Sequence, residues 1–440
     1  MRDEGGSDVG RPTCAGTLCC GWSADAGDAW LNKALQGGLI DPVEARRRVL
    51  DRVRPVAAER AALVEAHGRW LAEDVVSRDD HPPFPASTMD GYAVVAADAS
   101  PWREVVGYQP AGAWIDAVVS DGAAVRIMTG AAIPAGADAV VRVENTELAE
   151  DHVVIHQTDV SVGENIRPVG SDLAKGAVVL RAGTRVGPVE VGLLATVGLA
   201  VVAVARRPRV AVISTGDELV EPGQPVAPGQ IRDSNRFSVA AAIREAGGDV
   251  VFTGRASDEI ADLRRIVDAL PGDLDVLVTN GGVSVGDRDV VGALIGETAE
   301  VHFDRVLMKP GKPLTFATRG ELLIFGLPGN PVSSMVALEL FVRPALLAMQ
   351  GATRPEREIV TVETTEELRR SDRVEYQRAV VSVSAEGRLT ARSTGNQISS
   401  RLLSLAGANA LVIVEPGEGV VPAGSQTPAY LIDVPRAEGA

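Results

Sequence analysis

Four glycine-bearing turns lie between residues 214 and 331, and they constrain the fold more than any other feature. They read Ser214-Thr215-Gly216-Asp217-Glu218-Leu219, Asn280-Gly281-Gly282-Val283-Ser284-Val285-Gly286-Asp287-Arg288-Asp289, Lys309-Pro310-Gly311-Lys312-Pro313 and Leu327-Pro328-Gly329-Asn330-Pro331. The first three follow apolar, largely β-branched runs at 210–213, 276–279 and 306–308. A glycine just past a strand lets backbone N–H groups converge on an anion, and in an open α/β sheet such loops gather at the carboxyl ends of the strands. Lysines and carboxylates share these loops, which predicts a phosphate-bearing anionic ligand with a hard metal ion. Nothing in them suggests hydride or acyl transfer.

With 440 residues, 45% of them hydrophobic, the chain can bury large cores in roughly two to four domains. A net charge of −16 argues against a nucleic-acid or anionic-membrane binder, both of which need a basic face. The apolar run 191–205 is shorter than the roughly 18 residues of a spanning helix. It reads instead as a helix opened by Pro188 and closed near Gly198, then a strand. The N-terminus is acidic and lacks an apolar signal core, so no secretory signal is expected. Cys14, Cys19 and Cys20 are the three cysteines, all in a Gly- and Asp-rich stretch, 1–38, expected to be a disordered tail. None of the five histidines lies near enough in sequence to complete a zinc site there. The Cys-free remainder fits a reducing, cytoplasmic setting.

Asp41 and Pro42 read as the cap and first residue of a helix running to about residue 53. Short strands broken by Gly and Pro between 93 and 162 predict a small β-rich domain. Arg206-Arg207-Pro208 links into an alternating β/α pattern with helices at 239–246, 260–270, 290–295 and 332–349, hence a mostly parallel, doubly wound sheet. Alternating runs after Gly351 predict a compact β domain ending near Val434. The division is therefore a tail, 1–38; a discontinuous helical linker domain, 39–80 and 165–205; a β-rich domain, 81–164; an α/β domain, 206–350; and a C-terminal β domain, 351–440.

Single residues have plain readings as well. Asp217 or Glu218 can serve only to cap a following turn, but Glu218, Asp258 and Asp289 together at strand ends favour Mg²⁺ on substrate phosphates. Lys309 and Lys312 flank a proline-stiffened turn with apolar neighbours, which suits a bound oxyanion better than a solvated pair. Asn330-Pro331 opens the helix at 332–349, whose first N–H groups can receive an anion or simply be capped. Asp90-Gly91 alone is an ordinary turn, Met128-Thr129-Gly130 is weak by itself, Asp172 can be a turn cap, and Arg378 can be a surface charge. No Ser-His-acid grouping, Walker A, GxGxxG or HExxH pattern is present.

In order, the chain carries Pro83-Phe84-Pro85-Ala86-Ser87-Thr88-Met89-Asp90-Gly91-Tyr92-Ala93, Ile127-Met128-Thr129-Gly130-Ala131, the turns at 214–219, 281–286, 308–313 and 326–331, and Thr394-Gly395-Asn396-Gln397-Ile398-Ser399-Ser400-Arg401-Leu402. This series resembles the molybdopterin molybdenumtransferase family, MoeA and the E domains of gephyrin-type proteins, over about residues 39–434.

The resemblance implies four domains in an elongated chain: a MogA-like α/β domain, a small β-rich domain, a linker domain and a β-barrel-like C-terminal domain. It implies a homodimer whose site lies between the α/β domain of one protomer and the small β domain of the other. The implied reaction inserts molybdate into adenylylated molybdopterin and releases AMP, with Mg²⁺ as cofactor and the adenylyltransferase of the same pathway as a further partner. Carried over by motif, Asp90, Thr129, Glu218, Asp258, Asp289 and Lys309 are important for activity, Glu218 and Asp289 being the metal ligands. Lys309, Lys312, Ser333, Arg378 and Ser400 match molybdate contacts, Ser399 being the alternative to Ser400. Asp172, Ser284, Arg305 and Pro328-Gly329-Asn330-Pro331 complete the substrate-binding set. The chemistry agrees: lysines, an arginine and hydroxyls suit a dianionic tetraoxoanion, and a dithiolene supplies the soft donors Mo prefers without a protein cysteine.

The chain departs from the family at Thr88, commonly Ala, and at Arg305, which can be Lys. Two other readings compete with this one: the pathway's adenylyltransferase, disfavoured by the extra domains, and a noncatalytic scaffold, disfavoured by the intact metal and anion residues.

Overall fold

A computed structural model describes residues 38–282 and 290–437. Its chain contacts divide it into two compact units. Residues 208–346 and 355–440, with the segment up to Arg54, form one; residues 55–207 and 347–354 form the other.

The first unit contains the expected α/β layer. Its six strands run in the order Asp249–Ala256, Arg209–Thr215, Val276–Asn280, Leu322–Leu327, Pro313–Arg319, Glu300–Arg305. The first four are mutually parallel, and Pro313–Arg319 runs antiparallel to both of its neighbours, Leu322–Leu327 and Glu300–Arg305. Residues 210–213 and 276–280 are buried throughout, because a parallel strand is covered on both faces and so reads as a continuous apolar run. Ala211 and Ile213 pack with Leu263, Val267, Val291, Leu294 and Ile295 from the helices Ile260–Asp268 and Val290–Thr298. A methyl added at Gly248 would meet Ile243 of the helix Asn235–Glu245 and Val210, which therefore faces the other side. The layer is doubly wound.

One expected helix is interrupted. The helix Pro331–Ala337 passes into a wider, π-type turn at Leu338–Val342 before resuming at Arg343–Met349. Pro344 has no N–H for the carbonyl one turn back, and the wider turn accommodates the missing bond. The stretch Pro331–Met349 is long and apolar enough to cross a membrane, but 78% of it is buried inside the fold, as in a core helix. The helix Asn235–Glu245 also begins earlier than its apolar pattern suggested, since its first turn is polar.

The C-terminal strands close on themselves. Val374–Val383 pairs with Leu389–Ser393, then follow Ile359–Thr364, Gln426–Leu431 and Ala410–Val414, which pairs back with Val374–Val383. This five-stranded barrel is filled by small side chains, among them Ala379, Ala391, Ala410 and Ala429, as a narrow barrel requires. Met308–Lys309 lies parallel to Val374 and Glu375, which ties the lysine loop to the barrel. The helix Pro42–Arg52, capped by Asp41 as expected, belongs to this unit too; the Asp41 carboxylate accepts from Val43 N at 2.8 Å and Glu44 N at 3.2 Å.

In the second unit, six short strands form a mixed sheet in the order Ala139–Arg142, Gly91–Val94, Ala123–Ile127, Trp102–Gln109, His152–Ile155, Thr146–Ala149. The run at 191–205 resolves into the helix Pro188–Thr196 and the strand Val201–Ala205, with Glu190 reaching back to Gly187 N at 2.9 Å.

Candidate active site

The parallel strands of the α/β layer end at one rim, and a cavity of about 930 Å³ opens there. Arg209–Thr215 delivers Gly216 and Glu218 to its wall. Gly216 has φ +149°, and a Cβ there would stand 2.5 Å from Glu218 Oε2, so the carboxylate folds back over a residue that must be glycine. At the next strand end Gly281 has φ +88°, and its Cβ would come within 2.7 Å of the Thr215 carbonyl oxygen. The third strand delivers Pro328, Gly329, Asn330 and Pro331, and the following helix adds Ser333.

Hydrogen bonds fix this rim. Asp217 accepts from Asp258 N at 3.1 Å, so it positions the loop that puts Asp258 on the wall instead of capping its own turn. Val332 N donates to Ser399 O at 3.1 Å, which docks the barrel loop so that Ser400 and Leu402 line the cavity. Ser399 is thus occupied through its backbone and Ser400 is the serine on the wall. Among the described residues neither Glu218 nor Asp258 is within ion-pair distance of a cation, and no three potential metal ligands cluster.

The cavity therefore unites Glu218, Asp258, Pro328, Gly329, Asn330, Pro331, Ser333 and Ser400. The cations predicted for the anion lie outside its wall. The Lys309 ammonium is ion-paired with the Glu375 carboxylate. Lys312 is exposed, and Arg305 lies 3.5 Å from Asp304. Arg378 is no surface charge: it is 1% exposed, and it donates to Ser404 Oγ at 3.2 Å and Ile398 O at 3.4 Å beneath the loop that carries Ser400. Burial pushes its guanidinium down to about 10, with Glu375 acting in the opposite sense, so it stays charged at neutral pH.

The second unit carries the other predicted residues. Asp90 Oδ1 accepts from both Thr129 N and Thr129 Oγ1 at 2.7 Å, which unites the two motifs that were weak alone. Those donors, the backbone one first, hold the Asp90 carboxyl below its ordinary range. Asp172 is ion-paired with Arg167, whose Nε donates to it at 3.0 Å, in an exposed turn. Ser284 and Asp289 lie outside the described residues, as do the three cysteines.

Sequence reasoning missed part of the wall. Arg232, Asp233, Ser234 and Asn235 line it. Asp233, 1% exposed, accepts from Ser214 Oγ and from Arg236 N at 3.1 Å, and Asn235 donates to Gly329 O at 2.7 Å. A polar run directly before a helix was the available signal. Asn280 was also missed as a contributor: its Oδ1 accepts from Ser334 Oγ at 2.5 Å, and its buried Nδ2 meets no partner among the described residues.

Comparison with known proteins covers both units. Residues 40–198 match the family described as MoeA N-terminal region (domain I and II), residues 211–348 the "Probable molybdopterin binding domain", and residues 361–432 the MoeA C-terminal region (domain IV). A molybdopterin molybdenumtransferase of Haemophilus influenzae is 36% identical over 386 residues, 87% of this chain and 96% of that protein. One from Bacillus subtilis is 39% identical, covering 85% and 90%. Among solved structures, a molybdopterin biosynthesis MoeA protein of Pyrococcus horikoshii aligns with TM-score 0.77 at 28% identity, over 89% of this chain and 100% of that one.

Proposed function

The chain belongs to the MoeA family of molybdopterin molybdenumtransferases, and from that premise we propose how its residues divide the work. The enzyme inserts molybdate into adenylylated molybdopterin in molybdenum cofactor biosynthesis, with release of AMP. The observation that carries the reading is the cavity at the strand ends, whose wall combines the carboxylates of Glu218 and Asp258, glycine-rich backbone and the serines Ser333 and Ser400. Such a wall suits a nucleotide-linked, phosphate-bearing ligand.

Glu218 and Asp258, with Asp289, are assigned to Mg²⁺. Two wall carboxylates without a protein cation are the donor set Mg²⁺ takes when phosphates complete its shell. When bound, the ion would neutralise charge on the phosphates of the departing AMP. Gly281, Pro328, Gly329 and Asn330 shape the floor for the adenylylated pterin, to which Ser284 is also assigned. Lys309, Lys312, Ser333, Arg378 and Ser400 are assigned to molybdate; Ser333 and Ser400 supply hydroxyls from the wall, and Arg378 holds the loop bearing Ser400. Asp90 and Thr129 form an exposed, pre-ordered acceptor that we assign to the cavity of a partner protomer in a homodimer. The Cys-free body supports a cytoplasmic location.

The test uses pure protein, adenylylated molybdopterin and Mg²⁺, with AMP release followed with and without molybdate. Molybdate-dependent release is expected. Tight retention of the adenylate with no release would make this copy a binding scaffold and overturn the assignment.

A further inference from the structure

We propose that Glu375 is a built-in counterion which molybdate displaces from Lys309, so that this carboxylate sets how tightly the enzyme captures its oxyanion. The inference rests on the assignment of Lys309 to molybdate and adds a residue with no place in the sequence motifs.

The geometry is specific. Met308–Lys309 forms a two-residue parallel bridge with Val374 and Glu375, in which Lys309 lies directly opposite Glu375. Backbone register therefore places the pair, independently of any flexible side-chain choice. Glu375 is only 5% exposed, and its Oε2 accepts from Gln377 Nε2 at 2.5 Å, so the carboxylate is anchored within the barrel. Its other oxygen meets the Lys309 ammonium, whose side chain is 44% exposed and remains reachable from solvent. One partner is buried and anchored; the other is partly exposed to solvent.

A buried carboxylate must be compensated, because removing it from water costs far more than one neutral hydrogen bond returns. In the absence of an oxyanion Lys309 supplies that compensation. Glu375 also acts on Arg378, the second cation of the assigned molybdate set, opposing the effect of its burial. Lys309, Lys312 and Arg378 together with Glu375 carry three positive charges and one negative, a net of two. That balance matches a dianion. Capture turns Lys309 from the carboxylate to the tetraoxoanion, and Glu375 keeps Gln377 and the nearby Arg378 charge at a cost that is set against binding. The exchange weakens capture and keeps resting cations from holding unrelated anions.

Calorimetric titration of molybdate into full-length protein tests this, alongside the molybdate concentration giving half-maximal AMP release. Wild type is compared with Lys309→Ala, Glu375→Gln and the double variant. Glu375→Gln is expected to tighten molybdate about ten-fold, and the gain should vanish in the Lys309→Ala background. Unchanged binding in Lys309→Ala would remove Lys309 from the anion site, so the earlier assignment would fail, and this inference with it. Weaker binding in Lys309→Ala without tightening in Glu375→Gln would leave that assignment standing and overturn the counterion. Should Glu375→Gln not fold, Glu375→Asp carries the same test: its shortened carboxylate releases Lys309, and unchanged affinity would overturn the proposal.

Discussion

The two sets of charged residues assigned to metal and to molybdate are prepared in opposite ways. The acidic set, Glu218 and Asp258, stands on the cavity wall, and among the described residues no cation neutralises it. Backbone geometry holds these carboxylates: Gly216 lets one fold back, and Asp217 fixes the loop of the other. In the cationic set Lys312 is exposed, but Lys309 is already paired with Glu375, and Arg378 with Ser404 and the Ile398 carbonyl. Surface carboxylates tolerate waiting for an ion, since water solvates them. A cation anchored beside a barrel core needs a partner at all times. Function and stability should therefore separate in the acidic set and coincide in the cationic set.

Glu218→Gln gives the largest expected loss of activity. AMP release should fall by about a hundred-fold, while the thermal midpoint stays put because the lost charge is exposed. A matching fall in stability would break the comparison. For Arg378→Ala both quantities should change. Molybdate dependence should weaken, and urea unfolding should show a loss of about 2 kcal/mol as Ser404 and the Ile398 carbonyl lose a buried donor. Arg378→Lys should recover little, since an ammonium does not reproduce the fork. An unchanged molybdate titration in Arg378→Ala would remove that residue from the site.

Gly216→Ala probes the acidic set without touching a charge. The new methyl meets Glu218 Oε2, and the φ of +149° strains any side chain, so a cost of about 1–3 kcal/mol is expected in denaturant melts. Activity should fall along with it, less than in Glu218→Gln. The smallest effect concerns Asp90. Its carboxyl is lowered by the two Thr129 donors, so their contribution is present above the ordinary carboxylate pKa and is lost as pH falls through the lowered one. Thr129→Val removes the hydroxyl donor and keeps the backbone one. The Asp90 titration, followed by carbon NMR, should move up toward the ordinary carboxylate value; an unmoved titration would remove the hydroxyl as a cause.

Much of the α/β layer was legible because its signals are local. Buried parallel strands read as apolar runs, and glycine marked both tight strand ends at Gly216 and Gly281. Asp41 and Pro42 announced a helix start. The break at Leu338–Val342 was missed, although Pro344 stood in the sequence, because the apolar pattern continues through it. The wall segment 232–235 was missed because a polar run carries no periodicity until the cavity gives it a neighbour.

The sequence by itself determined the elements, the family's motifs in their order, and which residue types could meet an anion and a metal ion. Spacing of a few residues encodes all of these, since backbone hydrogen bonding and strand alternation act over that range. Only the tertiary structure decided which C-terminal strands pair to close the barrel that the resemblance implied, that Arg378 is buried beneath a loop, that Ser400 and not Ser399 reaches the cavity, and that Lys309 faces Glu375. Each is a contact between segments distant along the chain. Such contacts set burial, and burial decides whether a charge waits for a ligand or must already have a partner.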